Sequence, residues 1–136
     1  MAEPRAVVVH GLADARAALA AAAETGAAVV IESAPGAGAF AGAAWFGEVV
    51  RLARAERPEV DASSVLDCGD QAGAALGAIR AGLPVIRFTG PAEVRARIAE
   101  IAAGSNVRLD DGGRPALDFA AQREPEAACR AWLKMP

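Results

Sequence analysis

Four short apolar runs, each closed by a polar residue or a glycine and each followed by a helix-compatible segment, constrain this chain more than any other feature. The runs cover residues 6–10, 27–32, 64–67 and 84–88. They are rich in β-branched residues and apolar throughout rather than at alternate positions, the mark of strands buried on both faces, as in parallel sheets. The intervening segments, residues 12–25, 39–57, 71–81 and 91–103, have helical character. In the third, Ala72, Ala75, Leu76, Ile79 and Leu83 recur at helical spacing; in the fourth, Val94, Ile98, Ile101 and Ala102 do, and Glu93 stands four residues before Arg97.

The segment ends agree with this reading. Gly26 and Gly82 stand where a left-handed helix cap is wanted, Pro58 follows the second helix, and Gly90-Pro91 with Glu93 makes a helix start. Beyond residue 103 the pattern changes. Residues 107–119 hold a glycine turn between two short strand-like runs and read as an edge hairpin, with Pro115 restricting its strand to an edge; residues 124–134 read as a last helix. The expectation is one α/β domain over residues 1–136, a mainly parallel sheet of about four to six strands flanked by helices with right-handed crossovers. An open doubly wound sheet is the expected form. A complete eight-fold barrel needs about 250 residues, so only a half-barrel stands as the alternative.

Composition removes whole classes of function. The net charge of −3, with arginines and acids interspersed, gives no basic stripe for a phosphate backbone, so nucleic acid is not an expected partner. No uncharged apolar run reaches the roughly 20 residues of a membrane span; the longest uncharged stretch, residues 33–47, is broken by Pro35 and glycines. The N-terminal residues lack a secretory signal, and Cys68 and Cys129 are too far apart for a metal-finger or redox motif, so reduced thiols in the cytoplasm are expected. Lys134 is the only lysine, which rules out the phosphate-loop motif and disfavours Schiff-base chemistry.

The repeat is uneven. From strand end to strand end, His10 to Glu32 is 22 residues, Asp67 to Arg87 is 20 and Arg87 to Asp110 is 23, but Glu32 to Asp67 is 35. The surplus contains a glycine-rich loop, residues 33–38, and three of the six aromatics, Phe40, Trp45 and Phe46, whose readings are core, lid or subunit interface. Ligands of parallel sheets bind beyond the carboxyl ends of strands. That rule selects His10, Glu32, Ser33, Asp67, Cys68, Asp70 and Arg87; these without Cys68, together with Gly36 and Gly38 of the glycine loop, are the candidate ligand-binding residues.

Each candidate has a plainer reading. Gly36, Gly38 and Gly42 form a GxGxxxG spacing that resembles a dinucleotide-binding turn, with Asp67 where a ribose-binding acid stands; the alternative is a packed loop. Residues 65–73, VLDCGDQAG, resemble the first motif of Rossmann-type methyltransferases that use S-adenosylmethionine, but depart from it at Gln71 and at Arg87-Phe88; the alternative makes Asp70 a helix N-cap and Gly69 a tight turn. His10 is the only histidine and with Glu32, Asp67 and Asp70 could supply a base or hard-cation ligands. Cys68 lies beside acids that raise a thiol pKa and is not expected to be a nucleophile, while Arg87 could clamp an anion or pair with Asp67.

The PGAG…WFGEVV stretch followed by LDCGDQAGAALGAIRAG resembles a group of short bacterial α/β proteins; the likeness covers about Ser33 to Gly82 and implies a shared fold without an activity. Two functions are expected from the residues: a homo-oligomeric cytoplasmic module binding a small anionic ligand at its strand ends, or a small metal-assisted hydrolase or lyase using His10 with Glu32 and Asp67 or Asp70. The residues specify no cofactor.

Overall fold

The computed structural model describes residues 3–136 and bears out the α/β reading. In chain order the elements are β1 (Arg5–Val9), α1 (Leu12–Thr25), β2 (Val29–Ser33), α2 (Ala37–Phe40), α3 (Ala43–Glu56), β3 (Ala62–Asp67), α4 (Ala72–Arg80), β4 (Val85–Arg87), α5 (Ala92–Gly104), β5 (Arg108–Leu109), β6 (Ala116–Asp118), a 3-10 turn (Phe119–Ala121) and α6 (Pro125–Lys134). The strands form a six-stranded, all-parallel sheet in the order β5-β4-β3-β2-β1-β6. From β1 to β5 the order advances one place per unit without reversing. The order reverses once, where β6 returns to the far side of β1, as an open sheet wound in both directions requires; the sequential run from β1 to β5 is one that a half-barrel shares.

The C-terminal hairpin is corrected. β5 pairs in parallel with β4, β6 pairs in parallel with β1, and the two lie at opposite edges. Runs of two and three residues are too short for their side-chain pattern to choose a partner. The backbone N–H of Asp110 donates to the Ile86 carbonyl at 2.8 Å, which fastens the chain after β5 to β4. Pro115 does immediately precede an edge strand, where its missing N–H leaves no ladder bond unmade.

The enlarged second unit contains two helices rather than the single one expected over 39–57. Gly42 separates them with φ of +93°, a left-handed conformation that side-chain-bearing residues avoid. Gly26 and Gly82 adopt the expected left-handed caps.

By backbone proximity the chain divides into two compact units. The first comprises the described part of Met1–Glu32, with Val49–Ser63 and Arg114–Pro136. Its core joins Val7 and Val9 of β1 to Ala15, Ala18, Leu19 and Ala22 of α1 and to Cys129 and Leu133 of α6. The alanines let α1 and α6 approach closely. Trp132 of α6 donates its indole N–H to the Ala6 carbonyl at 2.9 Å, and the Arg5 guanidinium lies 4.4 Å from the centre of the Trp132 ring, so both polar ends of this contact are satisfied.

The second unit comprises Ser33–Glu48 and Ser64–Gly113. Its core is built from Phe46, Leu66, Cys68, Ala75, Ile86, Ile98 and Ala102, all nearly or fully excluded from solvent.

Candidate functional site

The strand ends of the second unit converge on three charged side chains. Asp67 closes β3, and its Oδ1 accepts the backbone N–H of Gly69 at 2.8 Å and of Gly36 at 3.0 Å. Its other oxygen lies 3.5 Å from Nη1 of Arg87. Arg87, closing β4, donates from Nε at 3.0 Å and from Nη2 at 2.6 Å to Oδ2 of Asp110, which also accepts the Gly112 N–H at 3.1 Å. Ser33 completes the arrangement, its Oγ accepting the Asp67 N–H at 2.9 Å and donating to the Ala34 carbonyl at 3.0 Å.

All three charged groups are largely withdrawn from water, with Asp110 the most deeply buried. In such surroundings a guanidinium between two carboxylates, each held by backbone N–H groups, is a structural fastening of high pairwise strength. It ties the loops after β2, β3 and β5 to the end of β4. The donors that an anion would meet here, the Gly36 N–H and the Arg87 guanidinium, are engaged with carboxylates of the chain itself.

The glycine loop is packed rather than open. A Cβ at Gly38 would lie 2.9 Å from the Cys68 Sγ and 3.2 Å from the Cys68 Cα, so glycine is needed for close approach of two backbones. Gly69 takes φ of +59° in the tight turn expected there. Asp70 is not the N-cap of α4. Gln71 holds that position, and Asp70 accepts a hydrogen bond from the Gln71 side chain at 2.8 Å in solvent. Burial, aided by the Asp67 charge, pushes the Cys68 thiol up to about 11, which leaves it protonated and unreactive near neutrality.

The first unit is arranged differently. β1 and β6 run parallel with Val8 opposite Asp118, so His10, just past β1, comes beside the carboxylate that ends β6. His10 Nε2 lies 2.6 Å from Asp118 Oδ1. That carboxylate also accepts the Ala120 N–H at 2.9 Å, capping the 3-10 turn, while the His10 backbone N–H donates to Asp14 at 2.9 Å. The pair is open to water, with 36% of the histidine side chain and 44% of the aspartate exposed.

Burial alone would raise the Asp118 pKa, but the hydrogen bond from His10, the Ala120 N–H and the charge of His10 together hold it below its ordinary value. Asp118 is therefore an ionised acceptor at neutral pH, and Nε2 must carry the proton between them. In the neutral imidazole this leaves Nδ1 as the basic nitrogen, and among the described residues it has no protein partner. Glu32, at the end of β2, is buried and accepts a hydrogen bond from Arg114 at 2.9 Å.

The structure thus brings Ser33, Gly36, Asp67 and Arg87 together, packs Gly38 against Cys68, pairs His10 and Glu32 with residues of the C-terminal segment, and leaves Asp70 in solvent. Asp110, Arg114 and Asp118 were absent from the candidates. Asp110 and Asp118 each close a short apolar run, as Asp67 does; the spacing marks Asp110 as a strand end without making it a candidate, and the hairpin reading turns Asp118 away from the strand ends where partners would be sought. No group of three or more His, Cys, Asp or Glu side chains able to hold a metal ion occurs among the described residues. No helix of the described residues is long and apolar enough to cross a membrane. Searches against family models and against curated proteins found no match for this chain.

Proposed function

We propose that the chain binds a small polar ligand at the C-terminal ends of β1 and β6 and exchanges a proton with it through His10. The observation that carries this reading is the solvent-exposed 2.6 Å contact between His10 and Asp118. A carboxylate that fixes the orientation and tautomer of an imidazole is the arrangement of a general base. Ligands of parallel sheets gather at this end of the strands. The ligand class is narrowed by charge: Asp118 abuts the imidazole and Asp14 holds the His10 backbone N–H, which favours a neutral, proton-donating group over the anion expected from the sequence. Of the acids expected to join His10, Glu32 is held by Arg114 and Asp67 by Arg87. The metal-assisted alternative has no ligand set among the described residues. A cytoplasmic setting belongs to the same proposal and is supported by two buried, unpaired thiols.

A single histidine makes the test direct. Imidazole NMR signals of His10 are followed while ribose, malonate and inorganic phosphate are added separately, up to about 10 mM, where a half-filled site is worth only about 3 kcal/mol. Saturable movement with ribose, weakened in Asp118→Asn, is expected. Movement with phosphate or malonate alone would restore the anionic reading, and no movement with any of the three would refute a site at His10 for these ligand classes.

A further inference from the structure

We infer that residues 39–45 form the contact surface of a homodimer in which the same uncharged patch of a second copy docks across a two-fold axis. Phe40 is 73% exposed and Trp45 37%, whereas the neighbouring Phe46 is fully buried, so the core takes only one of the three clustered aromatics. Ala39, Ala41 and Ala44 beside them are exposed as well. Aromatic enrichment with depletion of charge is the compositional signature of an interface core.

The patch is held in place by what lies beneath it. Gly36, which opens α2, donates its N–H to Asp67, and Gly38 packs directly on Cys68. Phe40 is therefore presented on an anchored segment, which lowers the ordering cost of binding.

Charge selects the occupant. Two copies that each carry −3 meet with least repulsion where charge is sparse, and residues 33–47 are the longest stretch without Asp, Glu, Lys or Arg, followed on α3 by exposed Glu48 and Arg51, one charge of each sign. The exposed faces of other helices carry Arg16 and Glu24 on α1, Arg97 and Glu100 on α5, and Glu126 on α6. An uncharged patch is self-complementary under a two-fold axis, as an isologous interface requires. A membrane is a poorer fit, because the patch has no Lys or Arg to engage anionic lipid. Full burial of an aromatic removes about 150–250 Å². The two exposed side chains therefore offer on the order of 200 Å², the centre of an interface whose standard size is about 800 Å² per partner. The dimer is accordingly weak and concentration-dependent.

Sedimentation equilibrium of the full chain from about 1 μM to 1 mM, a span of about 4 kcal/mol in affinity, tests this. The mass is expected to rise from 13.7 kDa toward twice that value. Phe40→Glu and Trp45→Glu, each checked for folding by circular dichroism, should each weaken association at least about tenfold. A mass of 13.7 kDa throughout would overturn the inference. So would a dimer indifferent to both substitutions, or binding to phosphatidylcholine vesicles through Phe40 by a chain that stays monomeric in water.

Discussion

Arg87 decides more of the local structure than any other single side chain, because three loops depend on its guanidinium. Replacing it with methionine keeps the aliphatic stem but leaves Asp110 buried without its cation. Loss of one partner from a buried pair costs about 3–5 kcal/mol, so urea unfolding of Arg87→Met should show a loss of that order. Arg87→Lys should recover only part of it, since one ammonium cannot reproduce the several directed contacts of the planar group. Asp118 makes the opposite case, an exposed pair of small energetic weight. Its folded-state pKa is depressed, so its contribution is present above the unfolded value of about 4 and disappears as pH falls through the lower folded value. The stability difference between the wild-type chain and Asp118→Asn should therefore be full near neutrality and close below about pH 4. Persistence of that difference in strong acid would show that Asp118 acts by something other than its charge.

The strand-helix alternation and most of the caps were legible in the sequence because period, β-branching and glycine placement are local signals. The departures in strand pairing share one cause: they depend on partners distant in the chain. Residues 107–119 carry a glycine turn that suits a hairpin, and nothing local reveals that Arg108 and Leu109 join β4 while 116–118 join β1. Strand order, and with it the choice between doubly and singly wound sheets, is set by such long-range pairing. The same limit governed the site: His10, Glu32 and Arg87 were recognised as strand-end groups, but Asp118, Arg114 and Asp110, which engage them, sat in the misread segment. The break between α2 and α3 was obscured because alanine and glycine satisfy a helix pattern without proving it. Gly42→Ala tests that break, since its φ of +93° is costly for any residue with a side chain. A loss of about 1–2 kcal/mol in thermal or urea unfolding is expected; an unchanged midpoint would show that the turn relaxes without cost.

Two features set the stability of the whole molecule against pH. The Cys68 and Cys129 thiols are both buried and both raised to about 11 from an ordinary 9.0. A raised pKa contributes stability that is complete below the unfolded value and is lost as pH climbs to the folded one. Unfolding free energy should therefore decline between about pH 9 and 11. That thiol-dependent decline should flatten in a chain with both cysteines replaced by alanine, whose baseline will be lower because two packed side chains are shortened. The two sets of strand ends differ, one fastened through Arg87 and one open at His10. Backbone amide NMR over the whole chain during addition of ribose separates them most directly. Shifts centred on residues 10–14 and 118–120 are the predicted result; shifts centred on 33–38 and 67–71, with His10 unmoved, would contradict it.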